Sequence, residues 1–168
     1  MISLYLMRHG EMEDNVARII QGQRHGVLSS VGFTQIEEVA ISLTHIHFDA
    51  IISSDFQRAF DSGMILAEKL NLHVTTTPLF RERDWGDFTG CFIPDLKGLP
   101  LPKNVEKMDD LLSRAKKFID WVKAHYPNMV VLAIGHGIMN KAIQAVHYGK
   151  RTREIPKMQN AEYRILYI

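Results

Sequence analysis

Two short motifs in the sequence combine histidine with glycine at the end of an apolar run. The first is Arg8-His9-Gly10, which follows the β-prone run at residues 2–7, and the second is Gly135-His136-Gly137, which follows residues 129–134. Imidazole can act as a nucleophile, an arginine fork suits phosphate or carboxylate, and glycine allows a sharp turn or a close approach to a ligand. One such motif could be an ordinary strand end carrying a basic residue. Two of them indicate a site.

The apolar runs before the motifs predict two buried strands, and open α/β sheets bind ligands where such strands end. Further strands are predicted at residues 50–53, 73–77 and 162–168, and helices from Ser29 or Ser30, after Asp55, and at residues 105–126 and 138–147. This alternation predicts an α/β fold, a three-layer α/β/α sandwich with a mostly parallel sheet. We expect a single domain over residues 1–168.

Three more polar residues stand out in the connecting segments. Asp55 is predicted to cap a helix, which would place Arg58 in its first turn, where amide donors and the helix dipole favour anions. Glu82 lies in a segment rich in charge and glycine at residues 79–90, which could also be a solvated charge cluster. Asn15 falls in a polar stretch at residues 11–29 that we predict to be a long loop, and long loops in compact domains are usually functional.

Composition limits the class of protein. A chain of 168 residues with 46% hydrophobic content suits one domain with a real core, and a net charge of +1 argues against a nucleic-acid or membrane-surface protein. The single Cys91 excludes an internal disulfide and is compatible with a reducing compartment. No stretch reaches membrane-spanning length, and the first residues do not read as a signal peptide. We therefore expect a cytoplasmic protein.

A metal site has one weak candidate. His45 and His47 are two residues apart before the strand predicted at residues 50–53, and on a strand this spacing would place both rings on one face. No cysteine or third ligand follows in a suitable pattern nearby. We expect two solvated histidines, no bound metal and no cofactor.

The motifs resemble the histidine phosphatase superfamily, also called phosphoglycerate mutase-like, whose mark is Arg-His-Gly at the end of the first strand. The similarity extends in order and spacing over most of the chain. The positions that match the family pattern, besides the first motif, are Asn15, Gly22, Leu28-Ser29, Gly32, Gln35, residues 53–59, Leu79, Glu82, Gly86, Gly90 and residues 135–137. Ser62 stands where the family often has threonine, a mild departure that concerns helix packing more than chemistry.

The resemblance implies a phosphomonoester hydrolase that acts on a small phosphorylated metabolite through a phosphohistidine. The implied catalytic residues are His9, Glu82, His136, Arg8 and Arg58. The implied substrate-binding residues are Arg8, Asn15, Arg58, His136 and Gly137. In these roles His9 is the nucleophile and Glu82 the proton donor, while His136 is expected to be protonated against the phosphate.

Two alternatives stay open at this point. A mutase would return the phosphoryl group to another hydroxyl of the substrate. Larger mutase relatives insert a lid after the position of Gly90, whereas residues 91–104 here form a short irregular segment, which predicts an open pocket. The other alternative is a non-catalytic module that binds phosphate or a phosphoprotein.

Overall fold

The computed structural model describes residues 1–168. The strands are β1 (Ser3–Arg8), β2 (Ala50–Ser53), β3 (Val74–Thr76), β4 (Val130–Gly135) and β5 (Tyr163–Tyr167). The helices are α1 (Glu13–Val16), α2 (Ser30–Leu43), α3 (Gln57–Leu70), α4 (Met108–His125) and α5 (Gly137–Tyr148). The five strands form one sheet in the order β3-β2-β4-β1-β5.

The sheet is mostly parallel, as predicted. Strands β1 to β4 pair in parallel, and β5 joins the edge antiparallel to β1. Because successive side chains of a strand point to opposite faces, β1 contributes to both layers of the core. Leu4 and Leu6 pack with Phe118 of α4 in one cluster, and Met7 packs with Ile36 of α2 in the other. Helices thus cover both faces, which confirms the three-layer α/β/α sandwich.

Strand register brings the two histidine motifs together. Arg8 at the end of β1 is paired with Gly135 at the end of β4, so the residues that follow the two strands, His9 and His136, lie side by side. The His9 amide continues the ladder by donating to the Gly135 carbonyl at 3.1 Å. On the other side of β4, the Ser54 amide donates to the Ile134 carbonyl at 3.2 Å. Three strand ends therefore meet at one edge.

The predicted capping role of Asp55 is wrong. Helix α3 begins at Gln57, and Phe56 occupies the N-cap position without a side-chain cap. The Asp55 carboxylate instead accepts a hydrogen bond from Arg81 Nε at 2.8 Å. Arg58 still lies in the first turn of α3, because the helix start differs from the predicted one only slightly.

Other boundaries shift for identifiable reasons. Helix α4 starts at Met108, three residues after the predicted start, because the backbone of Lys107 at the N-cap position is extended. The polar stretch at residues 11–29 contains the short helix α1, and an isolated bridge joins Met12 to Leu28. None of the helices combines the length and the apolar character needed to cross a membrane.

Candidate active site

A cavity of about 320 Å³ lies at the carboxyl edge of the sheet. Six of the seven predicted site residues line it: Arg8, His9, Asn15, Arg58, Glu82 and Gly137. The seventh, His136, is fully buried behind the cavity, with its ring centroid 5.4 Å from that of His9. A larger hollow of about 630 Å³ lies against α2 and α3 and contains none of these residues. Chemistry rather than size therefore identifies the smaller cavity as the site.

His9 is held as a neutral ring with one free nitrogen. Its Nδ1 lies 2.7 Å from the Gly10 carbonyl oxygen, which can only accept, so Nδ1 carries the hydrogen and Nε2 keeps its lone pair. Burial, and then the charges of Arg58 and Arg8, hold the pKa of His9 well below its ordinary value of 6.5. A neutral imidazole with an unprotonated Nε2 is the nucleophilic form.

Gly10 is required by packing rather than by a turn. Its φ lies outside the left-handed region, and a Cβ at this position would sit 2.7 Å from the carbonyl oxygen of Gly32 in helix α2. The close approach that glycine permits is therefore to the protein's own backbone. It fixes the chain directly after His9 against α2.

His136 is oriented by Ser54. The Ser54 hydroxyl accepts from the Phe56 amide at 3.2 Å and lies 2.6 Å from Nε2 of His136, where either group can be the donor. The other ring nitrogen, Nδ1, is buried and has no partner within the protein. Burial first, and Arg58 second, hold the pKa of His136 well below 6.5.

A neutral His136 differs from the protonated ring expected from the sequence. The same environment that lowers its pKa contains three guanidinium groups, those of Arg58, Arg8 and Arg114, and no carboxylate that bonds to the ring. A phosphate dianion at the site would favour the charged form, because an opposite charge within a few ångströms raises the pKa of an imidazole. Protonation of His136 and binding of phosphate are thus coupled.

Backbone carbonyls anchor the two arginines. Arg58 is 1% exposed and donates from Nη1 to the Arg24 carbonyl at 2.7 Å and from Nη2 to the Gly22 carbonyl at 2.6 Å. Arg8 donates from Nη1 to the Met158 carbonyl at 2.8 Å. Burial lowers the pKa of Arg58 to about 10, so its guanidinium stays charged at neutral pH.

Three buried nitrogens at this site have no partner within the protein: the donors Arg8 Nε and Arg58 Nε, and His136 Nδ1, which donates when the ring is protonated. Buried donors are normally paired, and leaving them unpaired is costly. An anion with several acceptor oxygens would satisfy all of them together. The arrangement of donors is therefore that of a site for a phosphate group.

Glu82 is tied to the start of helix α5. Its Oε1 accepts from the amides of Arg83 at 2.8 Å and Met139 at 3.0 Å, and its Oε2 accepts from the amide of Ile138 at 3.1 Å. Oε1 thus has both of its lone pairs engaged, whereas Oε2 has one left. Oε2 is the oxygen that can carry a proton toward a substrate.

Comparison with known proteins decides the family. The model of the histidine phosphatase superfamily (branch 1) matches residues 4–168. This chain belongs to that family. The resemblance stated from the sequence is confirmed over almost the whole chain.

Relatives within the histidine phosphatase superfamily carry both phosphatase and mutase names. The chain is 31% identical to an uncharacterized phosphatase, PhoE, of Bacillus subtilis over 82% of this chain and 72% of that one. It is 42% identical to a probable phosphoglycerate mutase, GpmB, of Proteus mirabilis over 51% of this chain and 40% of that one. A solved structure of mycobacterial glucosyl-3-phosphoglycerate phosphatase complexed with VO3 is similar with a TM-score of 0.90 at 27% identity, covering 98% of this chain and 92% of that one.

Asn15 and Gly137 complete the predicted set of this histidine phosphatase. The Asn15 Oδ1 accepts from the Met12 amide at 3.0 Å and from Asn160 Nδ2 at 3.2 Å, which leaves the amide group of Asn15 to donate. A Cβ on Gly137 would lie 3.4 Å from Nε of Arg8 and would shield that unpartnered donor. Glycine at this position keeps it accessible.

Sequence reasoning missed an ion pair that holds the Glu82 segment. Arg114 of α4 pairs with Glu106 at 2.8 Å, and both side chains are largely buried. Arg114 also donates to the carbonyls of Leu79 at 3.1 Å, Arg81 at 2.6 Å and Glu82 at 3.2 Å. Glu106 precedes Arg114 by eight residues, outside the three- or four-residue spacing of neighbours on a helix, and the three carbonyls precede it by more than 30, so no local pattern in the sequence links these positions.

The weak metal candidate and the other acids of the loop lie outside the site. His47 is 92% exposed and sits 3.8 Å from Asp49, in the turn before β2 rather than on a strand. Among residues 1–168 no group of three or more histidine, cysteine or acidic side chains is placed to hold a metal ion. Asp84 and Asp87, which share the loop of Glu82, do not line the cavity.

Proposed function

We propose that this histidine phosphatase hydrolyses phosphomonoesters by forming a phosphohistidine on His9. The observation that carries the proposal is the group of three unpartnered buried nitrogens, two of them donors on charged arginines, beside a neutral imidazole whose Nε2 is free. A phosphate ester repels nucleophiles unless its oxygens are neutralised, and this site supplies the neutralising groups already oriented.

The reaction follows from these positions. Arg8 and Arg58 bind the phosphoryl oxygens, and His136 donates from Nδ1. His9 Nε2 attacks phosphorus while the bond to the ester oxygen breaks, and the proton on Glu82 goes to that oxygen, so that alcohol leaves. The Glu82 carboxylate then takes a proton from water. The oxygen of this water attacks phosphorus, the P–N bond breaks, and phosphate and neutral His9 are released.

Metal independence is part of the proposal. The charge of the phosphoryl oxygens is met by Arg8 and Arg58, which are held by backbone carbonyls, and by the Gly137 amide at the start of α5, since the next two amides donate to Glu82. These groups do the electrostatic work that a divalent cation does in other phosphoryl-transfer enzymes. Location in the cytoplasm, a single domain and the lack of nucleic-acid partners stay predictions from composition.

A mutase is the second candidate, favoured by the 42% identity to a probable phosphoglycerate mutase over part of the chain. Against it, only Ile93 of the short segment at residues 91–104 lines the cavity, so little protein separates the site from water. With 3-phosphoglycerate as sole substrate, we expect inorganic phosphate if this compound reacts. Fast interconversion with 2-phosphoglycerate without phosphate release would establish the mutase.

The decisive experiment is to trap the intermediate. Brief incubation with a ³²P-labelled phosphate ester followed by a quench should yield a phosphoenzyme that is labile in acid and stable in base. The variant His9→Ala should yield none and should lose turnover. Near-normal turnover in His9→Ala would reject the nucleophile, and no release of phosphate from any ester, p-nitrophenyl phosphate included, would favour the non-catalytic binding module.

A further inference from the structure

The cavity carries more positive charge than one phosphate group needs. Besides Arg8 and Arg58, it is lined by Lys141 and Lys157, and Glu82 is the only acid among its lining residues. A phosphate monoester carries a charge of about −1.5 to −2 at neutral pH, which the two arginines balance. The Glu82 carboxylate is engaged by three backbone amides and cancels one of the four basic charges. With a phosphate dianion bound, about one positive charge on the lysines is still in excess.

We propose that Lys141 and Lys157 bind a second anionic group of the substrate, a carboxylate or a second phosphate. This inference rests on the proposed phosphatase function and narrows its substrate class. The natural substrate is then a small phosphate ester with a further negative charge on its leaving group. An uncharged alcohol phosphate would fill the phosphate site and leave both lysines without a partner.

Neither lysine has an acidic partner in the protein. No ion pair of the structure includes Lys141 or Lys157. Lys116, which pairs with Asp120 one turn away at 2.7 Å, is the only lysine with such a partner, so Lys141 and Lys157 are distinguished by lining the cavity. Around Lys141 the corresponding helix positions hold only glycine, isoleucine, glutamine and alanine. The lysine on this helix face is thus free to meet a ligand.

The acids nearest to Lys157 along the chain are already engaged. Glu154 accepts from the Arg151 amide at 2.9 Å, and Glu162 pairs with Arg164 at 2.9 Å. No acidic group in this segment is left to neutralise Lys157.

Both lysines are placed beside the phosphate-binding groups by the backbone. Lys141 lies four residues after Gly137 on α5, so the two share a helix face. Lys157 directly precedes Met158, whose carbonyl accepts the hydrogen bond from Arg8 at 2.8 Å. A substrate held by Arg8 therefore has both ammonium groups within the same cavity.

The cavity also has room for a leaving group that reaches them. A second recess of about 360 Å³ shares Arg8, Asn15 and Lys157 with the first and adds Arg18, another cation without an acidic partner. Five apolar residues also line the first cavity, among them Ile20, Trp85 and Ile138. Such walls suit a small carbon skeleton between two anionic ends.

The test compares three esters with one skeleton: 3-hydroxypropyl phosphate, 3-phosphonooxypropanoate and propane-1,3-diyl bisphosphate. Phosphate release gives kcat/KM for the neutral, carboxylate and phosphate arms. In the wild type we expect both anionic arms to exceed the neutral one, and the larger of the two identifies the second anion. A partly exposed ion pair is worth about 5-fold in binding, so the ratio of anionic to neutral kcat/KM should fall about 5-fold in Lys141→Met or Lys157→Met and further in the double variant.

The matched control is Lys150→Met, which removes a lysine just after the end of α5 and outside the cavity. It should keep the wild-type ratio, and rising salt should reduce that ratio in the wild type because it screens the pairs. An anionic preference that survives in the double variant, or equal kcat/KM for all arms in the wild type, would overturn this inference and leave the phosphatase intact. No phosphate release from any arm or from p-nitrophenyl phosphate would instead overturn the proposed function.

Discussion

The role of Glu82 can be tested by removing its proton while keeping its size. Glu82→Gln does this, but the structure shows that it also changes a hydrogen-bonded cap. If the glutamine oxygen takes the place of Oε1, it keeps the amides of Arg83 and Met139. The new NH₂ group then faces the Ile138 amide, donor against donor. One of three amide contacts is lost, whatever the substrate.

The two consequences have different signatures. Loss of a hydrogen bond to a charged group costs about 1.5–3 kcal/mol of stability, and the resulting displacement of the site lowers kcat/KM equally for every substrate. Loss of the proton matters only where the leaving group needs it, and general acid catalysis is worth about 10²–10⁴-fold. An alkoxide leaves poorly unless it is protonated, whereas p-nitrophenolate leaves unaided. We therefore expect a loss of about 10²-fold or more on alkyl phosphates and a much smaller loss on p-nitrophenyl phosphate.

The assay is kcat/KM on both esters, with the melting temperature measured alongside. Asp84→Asn is the matched control, because it makes the same charge change in the same loop and its Oδ1 accepts only from the Gly86 amide at 2.9 Å, outside the cavity. It should retain nearly wild-type activity on both. Equal losses on the two esters in Glu82→Gln would refute the proton donor, and would mean that Glu82 positions the start of α5.

Further predictions concern metal, pH and the loop anchor. Exhaustive chelation should leave activity intact, and a strict need for added Mg²⁺ would contradict this. His9 and His136 stay neutral in the folded protein, so only the unfolded chain takes up protons on these two residues below pH 6.5. The free energy of unfolding measured in urea should therefore fall as the pH is lowered toward 5.5, by up to about 1.4 kcal/mol per pH unit for each histidine. A flat profile would count against this. Arg114→Met should lower the free energy of unfolding by about 3 kcal/mol, because it leaves Glu106 unpaired. It should also lower kcat more than it changes KM, because the segment that carries Glu82 loses its anchor. An unchanged kcat would show that the pair serves stability alone.

The part of the site that sequence could predict depends on strand ends. The run before the second motif, residues 129–134, is continuously apolar, and the run at residues 2–7 is apolar except for Ser3, which is typical of strands buried on both faces of a parallel sheet. Parallel neighbours end at the same edge, so two histidines placed directly after two such strands are brought together by the register alone. The motif therefore carries both the chemistry and most of its geometry.

The part that could not be predicted depends on contacts between distant positions. Asp55 before a helix could cap it or pair with a cation, and only the fold shows that Arg81 approaches. Likewise, nothing around Glu82 indicates that amides 56 and 57 residues later bind its carboxylate. Periodicity and capping patterns act over a few residues, whereas these choices follow from how the loop packs on α4 and α5.

In this arrangement Arg8 and Arg58 both help to keep the His9 nucleophile neutral and bind the phosphoryl group. Before substrate binds, burial and then the charges of Arg58 and Arg8 hold the pKa of His9 well below 6.5, so the nucleophile needs no proton acceptor at neutral pH. When the phosphate dianion binds, its charge offsets theirs and favours protonation of His136, which strengthens the donor at Nδ1 as negative charge collects on the phosphoryl oxygens. Because His9 and His136 are already neutral in the free protein above about pH 6.5, the acid limb of kcat/KM should follow the second ionisation of the phosphate ester, near pH 6, rather than either histidine.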